Sequence, residues 1–106
     1  MSRITVLALA GLALATLPAA ANAASFNCDG NLNYTERVIC DNPGLSRADD
    51  AMSSLYFSVV HNGNYRRGQA AQVEWLRERD SCGANLSCIW GAYHTRIQEL
   101  ETGSAY

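Results

Sequence analysis

Two adjacent carboxylates, Asp49 and Asp50, two histidines, His61 and His94, and four cysteines, Cys28, Cys40, Cys82 and Cys88, are where chemistry could begin in this 106-residue chain. A glycosidase-like acid and base must face one bond together, whereas consecutive helical residues point about 100° apart. Asp49 therefore reads as a first-turn capping residue and Asp50 as a solvated one. A hydrolytic relay needs a histidine beside a nucleophile. Both histidines instead project away from the apolar faces drawn below, as surface side chains do. Trp75, Trp90 and Tyr93 could stack on a sugar, but their spacing suits core and boundary packing. No catalytic constellation emerges, so the chain is expected not to be an enzyme and to need no cofactor.

The cysteines carry a different message. Gaps of 11 residues between Cys28 and Cys40 and of 5 between Cys82 and Cys88 are not the short spacings of common zinc sites, so no metal is expected. An even number of cysteines fits two disulfides where the chain is exported. Export is expected from the first residues: Arg3, an apolar run from Ile4 to Leu17, then Pro18 and small residues ending Ala21-Asn22-Ala23. This is the layout of a secretory signal peptide cleaved after Ala23, and its apolar run is shorter than the ~18 residues of a membrane span. The expected organisation is a signal peptide over 1–23 and one domain over 24–106, periplasmic or secreted. No cysteine opens that domain, so no lipid anchor is expected. Of the three possible disulfide connectivities, local pairing of Cys28 with Cys40 and of Cys82 with Cys88 is the most economical.

Beyond Ala23 the chain has seven arginines, no lysine and ten carboxylates, a net charge of −3. A weakly acidic surface without a basic run argues against nucleic acid or anionic membrane as partner and mildly favours a basic protein.

The elements that must position these residues are helical. Asn33 and Glu36 form a capping-box pattern before Tyr34, Val38 and Ile39, and Asp41-Asn42-Pro43-Gly44 closes that short helix. Ser46 with Asp49 signals the next start, and Leu45, Ala48, Met52, Leu55, Tyr56 and Val59 step by three and four up to Asn62-Gly63-Asn64. A third helix is expected from about Tyr65 to Ser81, with Ala71, Trp75, Leu76 and Cys82 on one side. Helical projection puts Arg79 between Trp75 and Leu76, on the apolar face. Arg79 is therefore expected to be partly buried and paired, with Asp49 the preferred partner because it flanks the apolar face of the second helix. Asn85 caps the last helix, whose stripe is Leu86, Ile89, Tyr93, Ile97 and Leu100. Thr102 to Tyr106 are expected to fray. With no strand-like alternation, the fold class is all-α: one short helix and three longer ones packed as antiparallel neighbours through short connections.

In order and spacing, Cys28, Glu36, Ile39, Cys40, Leu45, Asp49, Met52 and Tyr56, followed by Trp75-Leu76, Arg79-Asp80, Cys82, Cys88, Tyr93 and Arg96-Ile97, resemble the N-terminal domain family of the LprI-like lysozyme inhibitors. Ala48 stands where a leucine is usual, and Glu74 where glutamine is common. The resemblance implies a secreted helical domain with structural disulfides and, for some members, inhibition of lysozyme. The functional expectation is binding and occlusion of a lysozyme, with a general periplasmic interaction module as the alternative. The candidate contact is Tyr65-Arg66-Arg67, beside the Asn62-Gly63-Asn64 turn, on a monomer or weak oligomer.

Overall fold

The computed structural model describes residues 24–106; the expected signal peptide lies outside them. Four helices and no strand occur among the described residues: α1 Tyr34–Asp41, α2 Pro43–His61, α3 Tyr65–Asp80 and α4 Leu86–Thr102. Each begins on an asparagine whose side chain accepts a backbone N–H of the first turn: Asn33, Asn42, Asn64 and Asn85. Such a cap satisfies one of the donors that a helix start leaves unpaired, a contribution of about 1 kcal/mol. At α1 the capping box closes in both directions, with Glu36 Oε1 accepting from the Asn33 N–H at 2.9 Å.

The start of α2 differs from the expectation drawn from Ser46 and Asp49. Asn42 is the cap, Pro43 occupies the first turn, and the helix begins three residues before Ser46. Proline lacks the N–H that a first turn leaves unpaired and its φ suits a helix, so Asn-Pro starts α2 while it stops α1. Ser46 instead donates its hydroxyl to the Ile39 carbonyl at 2.7 Å, tying α2 back to α1.

The buried apolar cluster joins Ile39 of α1, Leu45 and Met52 of α2, Trp75 of α3, and Ile89, Tyr93 and Leu100 of α4. Burying a large apolar side chain stabilises by about 1.5–3 kcal/mol, so these residues hold the bundle together. Leu86, expected in the α4 stripe, is 48% exposed: it is the first residue of the helix, and the buried part of the stripe starts at Ile89. The chain runs up α2, down α3 and up α4. The first turns of α2 and α4 therefore lie side by side, and a Cβ on Gly44 would come within 3.2 Å of the Trp90 ring.

Both disulfides sit at this end: Cys28–Cys40 ties the lead-in across α1, and Cys82–Cys88 spans the α3–α4 turn. By chain entropy, loops of this size stabilise by roughly 2–3 kcal/mol each. Two cystines fit an extracytoplasmic, oxidising setting. Among the described residues no helix is long and apolar enough to cross a membrane.

The residues after α4 do not fray as expected. Gly103 turns the chain in the left-handed region, the Ser104 N–H bonds the Glu99 carbonyl at 2.9 Å, and Ala105 is buried. Tyr106 then crosses to the α2–α3 turn. A Cβ on Gly68 would lie 3.0 Å from its ring and 2.7 Å from Val60, and one on Gly63 would collide with its hydroxyl. The tail docks because two glycines far back in the chain leave it room.

Candidate functional site

Arg79, near the end of α3, is 2% exposed. Its Nε and Nη2 donate to one oxygen of Asp80 at 2.9 and 2.8 Å, and Nη1 donates to the Tyr93 hydroxyl at 3.3 Å. That hydroxyl donates onward to Asp49 Oδ1 at 2.6 Å, while Nη1 stands 3.6 Å from the same oxygen. Glu36 Oε2 is 3.7 Å from Nη2, and the Phe26 and Trp75 rings lie 5.6 and 5.7 Å from the guanidinium carbon. The Arg79–Asp49 pair is thus one side of a wider cluster. Asp80 takes the direct charge-assisted bonds, and Tyr93 mediates contact with Asp49.

Asp49 is buried, and its second oxygen accepts from both the Ser25 N–H, at 2.7 Å, and the Ser25 hydroxyl. It is therefore not the first-turn cap that the sequence suggested, since α2 starts six residues earlier. Burial, then the Asp49 charge and hydrogen bond, push the Tyr93 hydroxyl well above the usual tyrosine range and keep it a donor. The cluster ties the lead-in, α1, α2, α3 and α4 together. Its acceptors are engaged by these bonds, and it acts as a clamp.

Periodicity did not reveal Ser25, Phe26, Asp80 or the bridging role of Tyr93. A signal existed for Tyr93 alone: a tyrosine in the middle of an apolar stripe has a hydroxyl that must find a partner. His61, His94 and Asp50 are exposed, whereas Trp75 and Tyr93 are buried and packed edge to face at 5.2 Å, leaving no sugar platform there. Among the described residues no group of three or more His, Cys, Asp or Glu is placed to hold a metal ion.

Tyr65, Arg66 and Arg67 occupy the first turn of α3, at the opposite end from the disulfides. Tyr65 is 58% exposed, both arginines are exposed, and among the described residues neither has an ion-pair partner. Arg66 opens onto a shallow groove of about 480 Å³ along the outer face of α3, lined also by Ala70, Val73 and Arg77. Arg77 there bonds Glu74 at 3.3 Å, with both side chains largely exposed.

A second arginine, Arg96 of α4, is also 2% exposed. Its Nε donates to Gln72 Oε1 at 2.9 Å, and its Nη1 to Glu99 and to the Ala105 carbonyl at 3.2 and 3.1 Å. Its Nη2 is buried without a partner. The side chain lines a cavity of about 190 Å³ between α3 and α4, roofed by residues 104–106 and bordered by Glu74, Glu78 and Glu99. Arg96 stood out in the sequence only through the family resemblance, and nothing local showed that the tail would cover it.

Three curated relatives share similarity with this chain. Each is named lipoprotein LprI, one from Mycobacterium bovis and two from strains of Mycobacterium tuberculosis, and each is 25% identical over 79 residues. The alignment covers 72% of this chain but 40% of each relative, so the chain spans less than half the length of the curated proteins it matches. No family model matches the chain, and no solved structure matches it.

Proposed function

We propose that this chain is an LprI-like lysozyme-inhibitor domain. In this reading it is exported, cleaved near Ala23, and acts in the periplasm or outside the cell by occluding a lysozyme, without chemistry of its own. The observation that carries the reading is sequence likeness. The residue pattern from Cys28 to Ile97 resembles that family, and the 25% identity to proteins named LprI points the same way. A lysozyme works through two carboxylates in a cleft, so a blocker must obstruct the cleft or present a cation to it. Tyr65, Arg66 and Arg67 suit that role, as exposed and unpaired side chains on a helix start held by the bundle.

The test is lysis of cell walls by several lysozyme classes in the presence of equimolar protein, repeated with Arg66 and Arg67 both changed to Ala. Inhibition that the double change abolishes supports both function and contact. Inhibition that survives it keeps the function and discards the edge. If no class is inhibited, the second reading takes over: a general interaction module, supported by the exposed Tyr34, Phe57 and Trp90 side chains.

A further inference from the structure

The clamp around Arg79 holds more negative charge than its one arginine balances. Asp80, Asp49 and Glu36 all lie within 4 Å of the guanidinium, and among the described residues no other ion pair reaches these three carboxylates. We propose that the α-ammonium of Ala24, created by cleavage after Ala23, is the second cation of the clamp, so that removal of the leader completes it. The inference takes export and cleavage from the proposed function and nothing from lysozyme binding.

Geometry puts the new charge at the right place. The Ser25 N–H and hydroxyl both donate to Asp49 Oδ2, the N–H at 2.7 Å, which seats the lead-in on a carboxylate that is 1% exposed. Bond lengths and angles keep the Ala24 nitrogen within about 3.7 Å of the Ser25 nitrogen, hence roughly 6 Å from Asp49 even at full stretch. At that separation an opposite charge favours the ionised form. A cavity of about 280 Å³ bordered by Ser25, Phe26, Glu36 and Asp49 leaves room there for an ammonium and its hydration.

Before cleavage the Ala24 nitrogen is a neutral amide with a single N–H. Hydrolysis gives the hydroxyl of water to the Ala23 carbonyl carbon and releases an amine, which takes a proton. One positive charge and two more donors then stand beside the surplus carboxylates. The folded domain is therefore held less tightly while the leader is attached, and the last increment of its stability arrives with processing.

The sequence makes the test clean. Residues 24–106 contain no lysine, so the α-amino group of Ala24 is the one primary amine of the processed chain, and an amine-specific acetylating reagent removes that charge and no other. The exported protein is first weighed intact. A first residue of Ala24 is expected; any other overturns the inference, and a retained leader overturns the exported reading with it.

Urea unfolding then compares free and acetylated protein. Acetylation should lower the folding equilibrium constant about threefold or more at pH 7, a modest figure because Ser25 is exposed. A smaller fall overturns the inference and leaves the inhibitor reading standing. The groups facing the amine are Glu36 of α1, Asp49 of α2, Arg79 and Asp80 of α3 and Tyr93 of α4, and all are common to both proteins, so their own titrations cancel in the comparison. The α-amino group of an unfolded chain loses its proton near pH 7.7–8.0, and one paired with carboxylates keeps it to higher pH. The difference should accordingly be full at pH 7 and close by about pH 10; a difference unchanged there overturns the pairing. A protein with Gly-Ser-Gly placed before Ala24 carries the same charge farther out. Its stability should not respond to acetylation, and an equal response would show that the position of the amine is immaterial and overturn the inference.

Discussion

Two arginines in this bundle are buried to the same degree and surrounded differently. Arg79 uses Nε and both terminal nitrogens on Asp80 and Tyr93, with two further carboxylates within 4 Å. Arg96 engages Gln72, Glu99 and a tail carbonyl, and leaves Nη2 buried without a partner. A charge withdrawn from water is tolerated only when hydrogen bonds replace its hydration. Arg79 meets that condition within the fold, so its role is complete when the chain is folded. Arg96 meets it in part, since one of its nitrogens is buried without an acceptor. Burial alone therefore does not say how fully a cation is satisfied; the state of each nitrogen does.

The strongest way to break the contrast is Arg79→Ala. It strands the buried Asp49 and removes the stem between Phe26 and Trp75, and should cost about 3–5 kcal/mol in urea unfolding. A loss below about 1 kcal/mol would show that the clamp is dispensable. Next comes Tyr93→Phe, which deletes the hydroxyl between Arg79 and Asp49 and should cost about 1–3 kcal/mol at neutral pH.

The same change has a pH signature. Tyr93 holds its proton to higher pH when folded than the unfolded value of about 10. Folding then keeps a proton that the unfolded chain releases, so its contribution is full below pH ~10 and is lost as pH rises toward the folded value. Stability measured from pH 8 to 11 should fall on the alkaline side, and the fall should be shallower in Tyr93→Phe. An unchanged slope would remove Tyr93 as its source.

Arg96→Ala should cost less, about 1–2 kcal/mol, since Glu99 is partly solvated and one unsatisfied N–H disappears with the side chain. A cost equal to that of Arg79→Ala would dissolve the contrast. Arg77→Ala sets the floor, because the Arg77–Glu74 pair is solvated, and should change stability by no more than about 0.5 kcal/mol.

The burial of Arg79 was legible because a 3.6-residue period leaves little freedom: a residue projecting between Trp75 and Leu76 must enter the core. Its partners were harder to read. Asp49 followed from its position on the flank of α2, but Asp80 did not. Neighbouring helical residues diverge, and only the long arginine stem at a helix end lets the two side chains meet. The start of α2 was misplaced because two asparagine and serine signals lie within a few residues of each other, and the Pro43 that ends one helix also suits the first turn of the next. The docked tail could not be read at all. It depends on what Gly63 and Gly68 lack, and no periodicity records an absent side chain some forty residues upstream.

The placement of the staples has a consequence for how the molecule opens. Both cystines, the α1 cap and the Arg79 clamp lie toward one end, while the far end is held by Tyr106 resting on Gly63 and Gly68. Sub-global opening begins where contacts are fewest and backbone bonds most exposed. Amide exchange should therefore be fastest across the α2–α3 turn and the tail, and slowest around Ile39, Ile89 and Tyr93. The bundle is sewn at one end and tucked in at the other, and the tucked end is also the roof over Arg96. Breathing of the fold and exposure of Arg96 are then the same motion.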